Sequence, residues 1–532
     1  MKYFEYKKCG CKFPLNEDGN IIFDPDISNI NLECKLTWDL ISSGNTKGCF
    51  QLESRLGRSM AKKLKPDSIE QLAALISIMR PGCLEAVRDG KTVSSHFIDK
   101  KNGLESVDYF HPALEPILSK TFGEMVYQEQ AMQIAKELAG FDLQEADMLR
   151  KAIGKKKASE MAKLKEKFID GCLKLKIISQ DQADQIFSWI EKSQRYSFNK
   201  SHAVSYAMNA YLSAYSKAHF TKTFFASYLK FAKDKIDTQQ EIKELIQNAS
   251  QMGIVVSTPD IRKLNEYFVL KEKIIYFGLT DIKGVGKSVF TKLKELCSNY
   301  DLKELSWLEL LFNILLNINS TAVKGLISSG GIDHYGKTRN SMLFEYSIVS
   351  ELTKKEIELC KKHMSAKNLK KILENLLLDK INIRRKNIVE NQIKSIDNPP
   401  YSLEDSIEWI SDKEYELLGY SISCSRIDMY DITNTNSTCG DFLKNSQNDV
   451  VIAGEIEGIS VVKTKSGKNK GAEMAFLSIS DNTGVLDSVI VFPEAYMLYQ
   501  NVLFDNNIII IKGTRSKEKD SLIVEKIFIP QS

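Results

Sequence analysis

The sequence predicts a mainly α-helical chain of several domains that ends in a small β-barrel, and three patterns predict it. Over residues 48–230 apolar positions recur every three or four residues between polar caps, the signature of amphipathic helices. Over 231–444 the helical pattern continues, interrupted by two short strand-like runs and a pair of glycines. Over 445–532 β-branched residues gather into five runs separated by Gly, Asn, Asp and Lys turns. A chain of 532 residues has room for about three or four such units. Its 43% hydrophobic and 27% charged content suits globular domains with sizeable cores. No apolar run approaches the roughly 20 residues that cross a bilayer, and the opening MKYFEYKKCG has no secretory apolar stretch, so a cytoplasmic location with no membrane partner is expected. The net charge of +4 is too small to indicate a nucleic-acid partner unless it is concentrated.

Residues 1–47 read as irregular, with a hairpin turn at Asn16-Glu17-Asp18-Gly19-Asn20. Asp24 and Asp26 flank a proline, and the turn is preferred over a magnesium-binding carboxylate pair. The ten cysteines are scattered apart from Cys9 and Cys11, and free, mostly buried thiols are expected in a reducing compartment. A zinc site at Cys9 and Cys11 would need two more ligands, and Cys34 with a distant fourth group matches no familiar zinc spacing; no metal site is therefore expected.

From Thr46 the helices begin. Asp67 and Ser68 are placed to cap a helix carrying Ile69, Leu72, Leu75, Ile76 and Met79 on one face, and Arg80-Pro81-Gly82 ends it, presenting an arginine at a break. Gly140 stops a later helix and Asp142 or Gln144 stands near the start of the next. Residues 150–176 carry ten basic side chains against three acidic ones, the sharpest local charge excess in the chain. Lys155, Lys156 and Lys157 follow Gly154 there, and suit either a phosphate-facing surface or a solvated face. In QRYSFNKSHAVSYAMNAYLSAYSKAHF (194–220), Ser201 is placed to cap a helix with Ala203, Ala207, Ala210, Ala214 and Ala218 as a small-residue stripe and Tyr211, Tyr215 and His219 on an adjoining face. A lysine and a histidine beside unpaired amides at a helix start suit an anion, and suit a solvated cap on a core helix as well.

The succession FQLES (50–54), RPG (80–82), HPALEPIL, YQEQAMQIA (127–135), LAGFDLQEADMLRKAIGKKK and FNKSHAVSYA (198–207) resembles the fingers region of the bacterial replicative DNA polymerase III alpha subunit, six motifs in order over about 180 residues. The resemblance implies that the fingers help to form the pocket for the incoming dNTP and grip template-primer DNA. It makes Arg80, Arg150, Lys151, Lys155 and Lys156 candidates for triphosphate or backbone contacts, joined by Asn199, Lys200, Ser201 and His202. Beyond the fingers, Ile282-Lys283-Gly284-Val285-Gly286-Lys287 places two glycines at a helix start, a device for gripping a DNA phosphate. With LISSGGIDHYGKTRNSML after it, this turn resembles the family's helix-hairpin-helix domain, here 231–350, with Lys283, Gly284, Gly286 and Lys287 as DNA-binding candidates. Residues 351–444 read as a helical linker region, in which YELLGYSIS resembles the family's lead-in to its last domain. The short glutamine-led pentapeptide by which the family docks on the sliding clamp has no convincing copy, which leaves a clamp partner open. The five runs of 445–532 suit a barrel of OB type, with Lys463, Lys465, Lys468 and Lys470 crowding one hairpin as DNA-binding candidates and Phe476 and Phe492 read as core.

Polymerases of this family use two metal ions, Mg2+ by expectation, held by palm aspartates that lie N-terminal to the fingers. Only 47 residues precede the fingers match, and no complete aspartate set is present in them, so no catalytic residue is assigned. The chain thus reads as the fingers and DNA-binding half of a split DNA-directed DNA polymerase of phage or bacterial origin. In that reading a separate palm-bearing chain is the partner, the isolated chain is inactive, and single-stranded DNA joins template-primer DNA as a ligand. The alternative is a non-catalytic DNA-binding accessory protein of replication.

Overall fold

A computed structural model describes residues 2–155, 158–193, 196–444, 447–464, 469–516 and 521–530, with only the backbone described at 153–155 and 158–160. The chain divides into two compact units, Met1–Phe224 and Phe225–Ser532.

The first unit opens with an antiparallel hairpin of β1 (Tyr3–Glu5) and β2 (Lys12–Pro14). A second turn closes at 16–20, where the Asn16 amide donates to the Asn20 carbonyl and Gly19 takes φ +79°, a left-handed backbone that glycine adopts without strain. Helix α1 (Lys35–Ser43) follows, and α2 (Ile69–Ile78) starts where Ser68 accepts from the Gln71 amide. The longest helix, α3 (Lys200–His219), buries Ala203, Ala207, Ala210 and Ala214 completely, so its backbone can lie close against α2 and α1. Together with Cys11, Phe13 and Ile30 from the N-terminal segment these helices form one core. The segment read as irregular is therefore anchored by its own apolar side chains.

A second core in this unit belongs to α4 (Gln128–Ala139), α5 (Leu143–Lys155), α6 (Ala158–Leu175) and α7 (Gln180–Ser193), around Ile134, Leu138, Phe168 and Phe187. Gly140 ends α4 at φ +65°, and the Asp142 carboxylate accepts from the Glu145 amide at the next start. Gly171 lies against the Ala139 carbonyl so closely that a Cβ would stand 2.0 Å from it, which makes glycine obligatory where α6 crosses the end of α4.

The second unit has a large helical core and a barrel. A small sheet of β3 (Val256–Ser257), β4 (Val269–Lys271) and β5 (Ile274–Tyr276) leads to α8 (Lys287–Cys297), with α9 (Ser320–Ser328) and α10 (Arg339–Ser350) after it. The buried Arg339 guanidinium ties these elements to the following helices, bonding Asp333 at 2.7 Å and the fully buried Glu414 at 2.8 Å.

The barrel strands are β6 (Asp449–Lys463), β7 (Glu473–Asp481), β8 (Gly484–Val491), β9 (Ile508–Arg515) and β10 (Leu522–Phe528). They close in the order β6-β7-β8-β10-β9 and back to β6, with only β8 and β10 parallel. This is the topology of an OB-type barrel. A register shift between Ile456 and Gly458 bends the long β6 so that one strand serves both neighbours. The barrel interior holds Ile452, Ile456, Leu477, Ile479, Val489, Ile509 and Ile511. Among the described residues no helix is long and apolar enough to cross a membrane.

Candidate nucleic-acid interface

The start of α3 gathers the densest set of predicted residues. Asn199, not Ser201, is the cap: its side chain accepts from the His202 amide at 2.9 Å, while Ser201 is already inside the helix and donates its hydroxyl to Asn199. The cap falls two residues earlier than expected because Phe198 pairs with Tyr127 in a short parallel bridge, which fixes where the chain can turn. The same bridge brings in Glu129, whose carboxylate accepts from the Lys200 amide at 2.9 Å and the Asn199 side chain at 2.8 Å. Two of the helix's first amides are thus already satisfied. The Lys200 and His202 amides are the two so occupied, and the charged groups at this start are side chains.

Arg80 is one of them. Exposed at the end of α2, it lays its guanidinium 3.7 Å above the Phe198 ring, a stack that holds the charge beside the start of α3. Lys200 stands 5.8 Å from the Tyr127 ring. The His202 ring lies between Phe198 and Tyr206, at 5.4 and 4.1 Å, and Phe50 continues the row at 5.1 Å from Tyr206. Arg80, Asn199, Lys200, Ser201 and His202 therefore share one surface, edged by rings. Glu129, Tyr206 and Phe50 belong to it, with Tyr127 buried beneath, and all four escaped sequence reasoning. The EQ spacing after Tyr127 was the one signal for Glu129, and it reads equally as an ordinary helix start.

Arg150 and Lys151 lie elsewhere in this unit, on α5 over the second core. Both bond Asp147, at 2.8 and 2.6 Å, and Lys151 first, then Arg150, hold its carboxyl below the usual range. The basic excess is partly neutralised on its own helix face. Lys155 is described only as backbone at the end of α5, and Lys156 lies outside the described residues.

In the second unit the predicted glycine turn forms as a hairpin ahead of α8. Gly284 takes φ +92°, with the space beside it filled by Thr321, and Gly286 caps α8, where among the described residues no side-chain cap bond forms and nothing lies within 4 Å of where a Cβ would stand. Lys283 and Lys287 are exposed on either side. Gly325 on α9 lies against the Lys283 carbonyl, at 3.4 Å from a would-be Cβ, so α9 buttresses the hairpin from behind while its front stays open. Open amides between two cations suit an anion, and the Glu266 carboxylate stands 3.9 Å from the Lys287 ammonium.

On the barrel, Lys463 ends β6 and Lys470 stands exposed in the following turn, while Lys465 and Lys468 lie outside the described residues. Phe476 and Phe492, expected in the core, are both exposed, at 38% and 46%. Ala475 and Leu477 take the inward positions of β7, so alternation turns Phe476 outward, and Phe492 precedes a short helix over the barrel rather than sitting in a strand. Ring and lysines thus share the outer surface of the barrel.

Comparison with known proteins matches residues 15–176 to the finger domain of the bacterial DNA polymerase III alpha subunit and 253–342 to a helix-hairpin-helix motif. The DNA polymerase III subunit alpha of Aquifex aeolicus (strain VF5) is 32% identical over 518 residues, covering 96% of this chain and 40% of that protein. These matches support a bacterial DNA polymerase III alpha C-terminal half. The subunit alpha of Staphylococcus aureus (strain MSSA476) is 30% identical over 510 residues, 94% of this chain and 43% of that relative. The match is to the family's C-terminal half, and the chain spans about two fifths of the length of these relatives. Within the family, the surface at the start of α3 falls outside the matched finger segment on its α3 side and inside it at Arg80 and Tyr127, whereas the glycine hairpin lies wholly inside the matched motif.

Proposed function

We propose that this chain is the fingers and DNA-binding part of a replicative DNA polymerase, which receives the incoming dNTP at the start of α3 and holds template-primer DNA through the glycine hairpin. The observation that carries the reading is the meeting of Arg80 with Asn199, Lys200, Ser201 and His202 on one ring-edged surface. Because Glu129 and Asn199 occupy the Lys200 and His202 amides, the Arg80 and Lys200 side chains are the triphosphate contacts, and His202 offers a flat face to a base or sugar. Arg150, Lys151, Lys155 and Lys156 serve the duplex backbone or the triphosphate from α5. Lys283, Gly284, Gly286 and Lys287 grip a duplex phosphate, and the barrel, with Lys463, Lys465, Lys468, Lys470 and the outward Phe476, tracks single-stranded DNA.

A divalent metal, Mg2+ by expectation, would supply activation of the primer hydroxyl and neutralisation of the leaving pyrophosphate. Asp24 and Asp26 do not fit a pair of metal ligands: Asp26 accepts from the Ser28 amide and hydroxyl at 2.9 and 2.7 Å, and Asp24 from the Asn29 side chain at 2.8 Å, so both are spent on their own turn. The palm carboxylates are contributed by polypeptide other than these 532 residues, in the split arrangement by a separate chain. What this chain's own groups do is bind, orient and screen charge.

The test is primer extension with the purified chain. It is expected to bind primer-template DNA in a salt-dependent way and to extend nothing until a palm-bearing partner is added. Robust extension by the chain alone would show that the metal ligands have been misplaced. In the reconstituted enzyme, Arg80→Ala with Lys200→Ala should weaken dNTP use more than DNA binding; equal losses would move these residues to the duplex.

A further inference from the structure

Four side chains that the polymerase reading leaves unused converge in the first unit. The hairpin between β1 and β2 turns over Tyr6, whose carbonyl accepts from the Cys9 and Gly10 amides, with Gly10 at φ +71°. This tight turn points Cys9 and Cys11 toward the C-terminal end of α3. Cys34 arrives from the start of α1 and His219 from the last residue of α3, 185 positions later in the chain. The three sulfurs and one ring nitrogen all lie within 4.8 Å of one another.

We propose that Cys9, Cys11, Cys34 and His219 bind one zinc ion as a closed structural site that clamps the N-terminal hairpin to the end of α3.

The distances fit. His219 Nε2 stands 3.3 Å from Cys9 Sγ and 3.7 Å from Cys34 Sγ. A tetrahedron with Zn–S of about 2.3 Å and Zn–N of about 2.0 Å has S···N edges of about 3.5 Å, so the ligand atoms already stand at the separations a zinc ion imposes. The ring is also oriented for it. His219 Nδ1 donates to the Tyr215 carbonyl at 2.9 Å, which fixes the tautomer and leaves the Nε2 lone pair facing the thiols. Asn31 reaches the Cys11 sulfur at 3.9 Å, and Tyr6, Phe13 and Tyr215 surround the imidazole at 5.1, 5.3 and 4.0 Å, a dry shell of the kind that supports a metal–thiolate centre.

Three thiols and an imidazole, all but Cys9 buried, leave no open position for substrate, which makes the site structural and not catalytic. Zinc is favoured over hard cations because sulfur supplies three of the four ligands. The ligands span 210 positions between Cys9 and His219, so the ion closes a long loop and ties the short hairpin to the end of α3. It also fixes the far end of the helix whose start carries Arg80's ring partners.

The full chain, expressed with zinc in the medium, should contain about one zinc per molecule by atomic emission, and should release it with a mercurial reagent as three thiols react. Cobalt exchange should give a thiolate charge-transfer band with tetrahedral visible bands, and a chelator should lower the melting temperature of the unmodified chain. Cys34→Ser and His219→Ala should each lose at least ten-fold in zinc affinity, while Cys172→Ser keeps full occupancy. If the unmodified chain carries no zinc and its cobalt spectrum lacks the thiolate band, or if the Cys9–Cys11–Cys34 cluster is recovered as a disulfide, the site does not exist. Full zinc occupancy in both Cys34→Ser and His219→Ala would overturn it equally.

Discussion

Asp281 stands directly before the glycine hairpin, and its replacement by asparagine tests whether that hairpin rests on a buried carboxylate. Burial, opposed by Lys233 and a backbone hydrogen bond from Phe268, pushes this carboxyl from its ordinary 3.8 up to about 6, and its Oδ2 has no hydrogen-bond partner. An acid raised in this way favours the fold below its ordinary pKa, where it is neutral in both states, and the advantage is lost as pH rises through the folded value. The shift of about two units corresponds to about 3 kcal/mol at full effect, and partial exposure of the side chain reduces that to about 1–2 kcal/mol. Asp281→Asn should therefore stabilise the second unit by about 1–2 kcal/mol at pH 8 and by almost nothing at pH 4. Urea unfolding followed through Trp307, which is buried in the same helical core, measures it. A gain of equal size at both pH values, or a loss at pH 8, would refute a charge-based cause.

Lys283→Ala with Lys287→Ala should weaken duplex binding and flatten the plot of log affinity against log salt by about 2, as expected when two phosphates lose their cations; filter binding from low to high salt reads it. Gly286→Val enters open space at φ −81°, so it should leave the melting temperature unchanged yet reduce duplex affinity by blocking close approach to the amides. Phe476→Ala should cost about 1–3 kcal/mol in single-stranded DNA binding, by fluorescence titration, with little effect on unfolding because the ring is exposed. Asn199→Ala removes both the α3 cap and a partner of Glu129, and should destabilise the first unit by about 1–2 kcal/mol in thermal melts.

Local rules carried much of what the sequence showed. Ser68 caps α2, Gly140 ends α4, and the small-residue face of α3 is buried, because each depends on residues within one or two turns of itself. The glycine hairpin was legible for the same reason: Gly284 sets its own left-handed backbone and Gly286 leaves the helix start uncovered. Errors arose where a distant strand or helix decides the outcome. Ser201 lost the cap to Asn199 because Tyr127, far earlier in the chain, fixes Phe198. Apolarity alone places Phe476 and Phe492 in the core, but alternation in β7 gives the interior to Ala475 and Leu477, and Phe492 lies beyond the strand.

By itself, then, the sequence determined the order of helices and strands, the family and the residues chemically fit for phosphate. Tertiary structure decided which of them meet: it put Glu129 on the Lys200 amide at the start of α3, left Arg150 and Lys151 with Asp147, and drew three cysteines to His219. The physical reason is range. Caps, turns and periodicity act over a few residues along the chain, whereas a charge is neutralised or a metal is held by whatever lies within a few ångströms in space.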